Sequence, residues 1–491
     1  MSDKKLPYGW VEATISEIAD INPKKIDAAP ETVAGFVPMS HSPTNYSDNL
    51  KFEEKYWSEI KKSYTNFREH DVLVAKVTPC FENGKAAIVK GLPNKIGAGS
   101  SEFYVIRPAI QEISSRFLFS IVKSYKFLSE GAANMTGAVG LRRVPRSFVE
   151  TFPVLVPPLA EQKAIADKID TLLAQVETTK ARLERIPEIL KSFRQSVLTA
   201  AMSGKLTDKW RKGKRLDARV DLASELRFTD CKKRKTEPTS FHDLVEDMIS
   251  SSWALSKFDD LYRFIDYRGK TPRKSQSGKR LYTAKNIKMG YLSDEPVEYI
   301  SEQDYDSWMT RGKSKLNDIF FVTEGHTMGC VALNGIGSDI ALAQRTLTLQ
   351  PYGQLISKFH YYFMLTEQFQ KVVDLNATGT AAKGIKAAKF RGLPVPFPAY
   401  DEQIEIVSRV DVLFGFADSI EQKANAALER VDKLTQSILA QAFKGELTAT
   451  WREANPDLLC GENSAEALLE KIKAEREALK PVRKSSVRKK S

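Results

Sequence analysis

The sequence predicts an α+β fold built as an internal repeat. Two globular α+β domains are separated by two long helices that pack on one another as a coiled coil. Three observations carry this. The stretch Glu161 to Arg211 recurs at Glu402 to Arg452 without a gap, with about 15 of roughly 51 positions identical. Both copies carry an apolar stripe at alternating spacings of four and three, the signature of a heptad seam. Each copy follows a globular segment that opens alike, at Leu6-Pro7-Tyr8-Gly9-Trp10 and at Ser251-Ser252-Trp253-Ala254-Leu255, so the repeated unit is larger than the helix.

In the first segment, short β-rich runs at Val33 to Met39, Asp71 to Val77, Ala86 to Val89 and Glu102 to Ile106 alternate with turn clusters. A helical run follows from Ser114 to Leu128. The second segment repeats this with runs at Arg280 to Thr283, Asp318 to Thr323 and Thr346 to Gln350, then a helical run from Lys358 to Val373. Each segment closes on a Gly-rich turn, Thr136-Gly137-Ala138-Val139-Gly140 or Thr378 to Gly384, followed by basic residues. A Pro-punctuated strand comes next, Phe152 to Pro158 or Leu393 to Pro398, whose prolines stop the strand before the helix.

The first helix places Ile165, Ile169, Leu172, Val176, Thr179, Leu183, Ile186, Leu190, Phe193 and Val197 on its seam. The second places Ile406, Val410, Leu413, Ala417, Ile420, Ala424, Ala427, Val431, Leu434 and Ile438 there. Pro187 has no counterpart, since Leu428 stands in its place, and it removes a helix hydrogen bond. A kink or short break is therefore expected in the first helix only. The expected division is a domain over 1–158, a helix over 159–206, a linker over 207–250, a domain over 251–398, a helix over 399–447 and a partly helical basic tail over 448–491. The linker contains Lys232-Lys233-Arg234-Lys235, and Ser464 to Ala478 has helical spacing.

With 42% hydrophobic and 28% charged residues, the composition is that of an ordinary soluble protein. No apolar run reaches the roughly 18 residues of a membrane span, and no signal core follows Met1. Cys80, Cys231, Cys330 and Cys460 are far apart, which argues against a disulfide framework or zinc site and for a reducing cytoplasm. The net charge of +12 favours a polyanionic partner, most often nucleic acid, although Arg483, Lys484, Arg488, Lys489 and Lys490 in the tail supply part of it.

Catalytic signatures are missing. The Asn/Asp-Pro-Pro-aromatic motif of amino-methyltransferases is absent, since Lys24 follows Asn22-Pro23. Gly269-Lys270-Thr271 is not a phosphate loop, because Phe264 stands where its first glycine must be. The five histidines form no ligand or triad pattern. No catalytic residue and no metal site are expected.

Binding chemistry remains. Phosphates are met by Lys and Arg, base edges by Arg, Lys, Asn and Gln. In the first domain the candidates are Lys76, Thr78, Asn83, Lys85, Arg142, Arg143 and Arg146. In the second they are Tyr267, Arg268, Lys270, Arg273, Lys285, Asn286, Arg311, Lys313, Lys315, Gln344, Arg345, Lys383, Lys386 and Lys389. For any one loop the alternative is a solvated surface; recurrence in both domains points to double-stranded DNA.

The chain resembles the specificity subunit of type I restriction-modification systems over nearly its whole length. The residues that carry this are Pro157-Pro158-Leu159-Ala160-Glu161-Gln162 and Pro398-Ala399-Tyr400-Asp401-Glu402-Gln403 at the starts of the helices, both Gly-x-Leu-Thr…Trp-Arg ends, and the two-copy layout. Tyr267 to Pro272 and Lys285-Asn286-Ile287 look like stretches of target-recognition domains of this family. Ala399-Tyr400 departs from the Pro-Leu of the first copy, and the basic tail is longer than the scheme needs. The resemblance implies two target-recognition domains, each reading half of a split site, held apart by antiparallel helices. It implies two modification subunits carrying S-adenosylmethionine, and restriction subunits that use ATP and Mg; the chain itself needs no cofactor. Antiparallel packing also follows from a pseudo-twofold axis, which matches the local dyad of DNA. The alternative is a DNA-independent coiled-coil scaffold, which a salt-dependent gel shift distinguishes.

Overall fold

The computed structural model describes residues 6–138, 140–229, 236–240, 243–267, 271–337, 339–343, 345–379 and 383–479. Two compact units result, one from Met1–Glu184 with Asn425–Ser491 and one from Arg185–Ala424. Each combines a globular domain with part of both long helices.

In the first unit, Val11–Thr14 pairs antiparallel with the closing strand Pro153–Val156, so the two ends of the domain are tied together. Between them stands a four-stranded antiparallel sheet in the order Ala19–Ile21, Phe103–Pro108, Val72–Ala75, Ala86–Ile88. A second sheet runs Glu53–Tyr56, Val33–Val37, Ile96–Gly99, Thr65–Arg68, with its middle pair parallel. Val72–Ala75 is apolar at every position because both its faces are covered. Leu73 joins Val37, Phe67 and Val105 in one core, while Val72 and Val74 join Phe117 and Ile165 in another.

The second unit repeats the plan. Ala254–Lys257 pairs with Pro394–Phe397. The four-stranded sheet runs Tyr262–Asp266, Thr346–Pro351, Ile319–Val322, Val331–Leu333, and a three-stranded sheet runs Tyr299–Ile300, Lys279–Tyr282, Ile340–Leu342. Ile319 and Phe321 face one core, Phe320 and Val322 the other.

The expected single helix late in each domain is two helices. Ser115–Val122 gives way to Tyr125–Ala133, and Ser357–Met364 to Glu367–Asn376. The cause is local: the Ser124 side chain accepts from the Phe127 amide, and that of Thr366 from the Phe369 amide, so each caps a new helix.

The first long helix runs Leu159–Glu184, breaks, and resumes as Ile186–Met202 with Pro187 in its first turn. The second is one continuous helix of 44 residues, Tyr400–Phe443. Within each unit the helices are antiparallel. In the first, Glu161 meets Arg452 while Lys180 meets Asp432 at 2.7 Å. In the second, Arg211 meets Glu402 while Arg194 meets Asp418 at 2.7 Å. The seam is narrower than the heptad count suggests. Ile169, Val176, Leu190 and Val197 are buried, as are Val410, Ala417, Ala424 and Val431, but Thr179 and Leu434 on the alternate positions are exposed. Two helices share one line of contact, so one position per heptad is enclosed and the other lies at its margin.

The repeated short motifs form a clasp in each unit. In the first, buried Glu161 accepts from Trp10 Nε1 at 2.8 Å and Thr448 Oγ1 at 2.7 Å, and pairs with Arg452. Arg452 donates its other arm to the Gly445 carbonyl at 2.6 Å. In the second, Glu402 accepts from Trp253 at 3.1 Å, Thr207 at 2.8 Å and Arg211 at 2.5 Å. The neighbouring Gln162 and Gln403 each cap a preceding proline carbonyl, Pro157 or Pro398, at 2.9 Å. Gly445 has φ +73°, and a side chain there would meet Pro7 at 2.6 Å, so the turn tolerates only glycine.

The tail folds onto the first unit. Ser464 caps the helix Ala465–Ala478, which buries Ala465, Leu468 and Ile472, and Arg476 donates to the Ser16 carbonyl at 2.7 Å. Lys232 to Lys235 and the basic stretch Arg483 to Lys490 lie outside the described residues.

Candidate nucleic-acid interface

In both domains the closing basic turn is hydrogen-bonded to the turn that leaves a buried central strand. In the first, Lys76 follows Val72–Ala75. The Val144 amide donates to the Lys76 carbonyl at 2.9 Å and the Thr78 amide to the Arg142 carbonyl at 3.0 Å. In the second, Thr323 follows Ile319–Val322. The Ile385 amide donates to the Thr323 carbonyl at 2.8 Å and the Gly325 amide to the Lys383 carbonyl at 2.9 Å. The same two bonds join the same two turns, so Arg142 and Lys383 occupy equivalent places.

Strand register gathers more residues at this end of each sheet. In the second domain Asp266 pairs with Leu347 and Val322 with Thr346. Tyr267, Thr323 and Arg345 therefore share one sheet edge, and Arg311 reaches it by donating to the Asp266 carbonyl. Arg345 is exposed, has φ +72°, and lies 3.5 Å from Glu324. In the first domain Ala75 pairs with Phe103, which sets Lys76 beside Glu102. Glu102 takes Arg143 bidentately, at 2.9 and 2.8 Å. That hydrogen bond holds the Glu102 carboxyl below its usual range and raises the Arg143 guanidinium further. Arg142 pairs with Glu82 at 2.9 Å. These pairs are half-exposed, and exposed ion pairs contribute little, so a phosphate can replace the carboxylate.

Other candidates are placed differently. Lys85 stands at this sheet end, its carbonyl accepting from the Ala75 amide at 2.9 Å, but its ammonium is taken up by the Met39 carbonyl at 3.0 Å. Arg146 pairs with Glu150 and the Ile21 carbonyl, and the Thr78 hydroxyl is used by the Arg142 carbonyl at 3.3 Å. Asn83 is exposed on the turn that carries Glu82. Lys313 pairs with Asp306 at 2.8 Å, and Lys315 bonds through its amide to Asp318, at the opposite end of the sheet from Thr323. Arg273 and Lys285 are exposed on loops beside the three-stranded sheet. Lys383 pairs with Asp374 at 2.7 Å and Lys386 with Glu237 at 3.4 Å, while Lys389 donates to the Asn376 carbonyl at 3.5 Å. Arg268, Lys270 and Gln344 lie outside the described residues.

Two expectations are corrected. Tyr267 is 3% exposed, stacks on Trp308 and donates to the Gly312 carbonyl at 2.7 Å, and burial pushes its phenol up. Asn286 is fully buried, donating to the carbonyls of Ser293 and Pro296 and accepting from the Thr283 amide. Both hold loops, and neither has a polar group left over for a base edge.

Sequence reasoning missed the turn Thr323–Thr327 in the second domain, although it chose Lys76 to Pro79, its counterpart. The available signal was the same fully apolar strand leading into it. It also missed the carboxylates Glu82, Glu102 and Glu324, because spacing alone does not reveal an ion pair across roughly 20 to 60 residues. No cluster of three or more metal-ligating side chains occurs among the described residues. His360 is enclosed between the Tyr262 hydroxyl and the Pro396 carbonyl.

Comparison with known proteins agrees with this layout. The sequence model of the type I restriction modification DNA specificity domain matches residues 7–188 and again 251–430. A type I restriction enzyme EcoKI specificity subunit of Escherichia coli (strain K12) is 32% identical over 97% of this chain and 98% of its own length. An EcoBI specificity subunit of Escherichia coli is 37% identical over 74% of this chain and 72% of its own. The crystal structure of an HsdS subunit from Thermoanaerobacter tengcongensis shares the fold, with TM-score 0.62, 16% identity, 91% of this chain and 99% of that chain covered.

Proposed function

The chain belongs to the type I restriction-modification specificity-subunit family, with two specificity domains, and we propose that each domain reads one half of a bipartite DNA site through the sheet edge described above. The reading rests on one observation: the same pair of hydrogen bonds presents a basic turn at the same sheet end in both domains. In the first domain the contacts come from Lys76, Arg142 and Arg143. In the second they come from Arg311, Arg345 and Lys383, joined by Arg268, Lys270 and Gln344, which lie outside the described residues. The recognition domains span 1–158 and 251–398, the spacer segments that carry the long helices 159–206 and 399–447, the linker 207–250 and the tail 448–491.

The chain recognises DNA and does no chemistry. Two modification subunits dock on the long helices and methylate adenine N6 with S-adenosylmethionine. Restriction subunits add cleavage driven by ATP and Mg, and the assembly works in the cytoplasm. The exposed apolar residues Val412 and Phe416 stand one turn apart on the second helix, with Ile404 about two turns earlier, and this shared apolar face supports docking there.

Mapping methylated sites in cells that carry variants with the partner subunits tests the reading. Arg345→Ala should relax one base pair in one half-site by roughly 1–3 kcal/mol and leave the other half unchanged. Arg142→Ala with Arg143→Ala should act only on the opposite half. If both variants altered the same half, separate readers would be ruled out.

A further inference from the structure

An apolar groove of about 350 Å³ opens on the first unit. It lies between the closing strand Phe152–Leu155, the residues Ile121–Lys126, and the end of the second long helix at Gln436–Lys444. Tyr125 on its lip is 71% exposed.

The second unit has the same groove, and there the linker covers its closing strand, leaving a cavity of about 690 Å³ between the linker, Gln195–Ser203 and Gln368. By the alignment of the repeat, the walls of the groove are Pro394–Phe397, the residues around Thr366–Gln368, and Gln195–Ser203. The linker turn Asp243–Glu246 lies over them, burying Val245 and Met248, with Leu244 and Ile249 packed beside. The effect is plain on the closing strands. All four residues of Pro394–Phe397 are buried, but in Pro153–Val156 Pro153 is exposed and Leu155 half-exposed. At the offset that lays Trp253 on Trp10, Leu244, Val245, Met248 and Ile249 fall on Met1, Ser2, Lys5 and Leu6, so two of the four apolar positions are polar in the first copy.

We propose that the open groove of the first unit receives a short acidic amphipathic helix from another protein, apolar at positions i, i+1, i+4 and i+5. The covered copy supplies the template for shape, since Leu244, Val245, Met248 and Ile249 have that spacing. Charge sets the polar face. Asp247 borders the second groove beside Gln368 and Ser203. Their counterparts in the first groove are Lys126, which lies 5.6 Å over the Phe152 ring, and Lys444. An acid at the Asp247 position therefore meets two lysines, Lys126 and Lys444, in the first unit, where in the second Asp247 shares its surroundings with one, Lys205. The same lysines disfavour the chain's own basic tail as occupant.

The test uses the full chain and a fluorescent peptide with the sequence of residues 240–250, read by anisotropy. Saturable binding is expected. Leu155→Arg should weaken it about tenfold or more, since it places a charge in the groove. Tyr125→Asp, at a site too exposed to affect folding, should weaken it in the same direction. Lys126→Glu with Lys444→Glu should weaken it severalfold and remove its salt dependence. Absence of binding up to about 100 µM peptide would overturn the proposal, because a partner helix could gain little from such a site. Binding unchanged by Leu155→Arg would place the peptide elsewhere and overturn it too. A dimer of the chain alone that Leu155→Arg dissolves would identify a second copy as the occupant, and would equally overturn it.

Discussion

Glu161 and Glu402 do the most at the scale of single residues. Each is a buried carboxylate held by an indole N–H, a threonine hydroxyl and an arginine that come from stretches far apart in sequence. Removing one partner strands the charge. Arg452→Met should destabilise the chain by about 3–5 kcal/mol, read as the shift of a denaturant midpoint, and adding Glu161→Gln should restore part of that. His360 gives a pH signature. Burial holds its imidazole down at about 4 against an ordinary 6.5. Between those values the unfolded chain binds more protons, so this contribution to stability falls as pH drops from about 6.5 to 4, by about 3 kcal/mol. Asp318, pushed up to about 6 by burial, acts in the opposite direction over part of that window. The stability gap between the parent and His360→Gln isolates the histidine, and it should shrink from pH 7 to pH 4.5. A gap independent of pH would mean that the ring charges freely in the folded state.

Among elements, the two long helices differ for one identifiable reason. Pro187 cannot donate to the carbonyl a turn earlier, and the first helix breaks at Arg185 while its copy runs on. Their seam encloses only one position per heptad, so apolar residues outside it are available to other chains. Val412 and Phe416 are 70% and 62% exposed. Val412→Asp with Phe416→Asp should leave the melting temperature and DNA binding unchanged and abolish co-elution with the modification subunit on gel filtration. Loss of DNA binding by the isolated chain would instead show damage to the fold.

At the level of the whole molecule, antiparallel packing decides how the helices can be lengthened. Lys180 faces Asp432, so a heptad inserted after Lys180 must be matched by one after Val431. Each adds roughly 10 Å of helix, the length of about three base pairs. The variant should fold and recognise unchanged half-sites that lie further apart. Affinity should fall, since three base pairs turn the duplex by nearly a third of a circle. Sequencing of methylated adenines reads the spacing directly. Methylation retained at the original spacing without loss would mean that the helices do not set it.

The sequence by itself determined the repeat, the α+β class, the heptad helices and the break that Pro187 causes, because each is local or periodic and needs no knowledge of what lies across the fold. It marked Glu161-Gln162 and Gly445-Glu446-Leu447-Thr448 as paired motifs but not as one clasp, since that clasp closes over nearly 300 residues of chain. For the same reason Tyr267 and Asn286 read as surface chemistry: polarity is visible in sequence, burial is not. Arg143 read as a free cation until Glu102 stood beside it. Only the tertiary structure decided which basic loops share a sheet edge, because strand register and turn-to-turn hydrogen bonds, not spacing, bring Lys76 to Arg142 and Arg345 to Lys383.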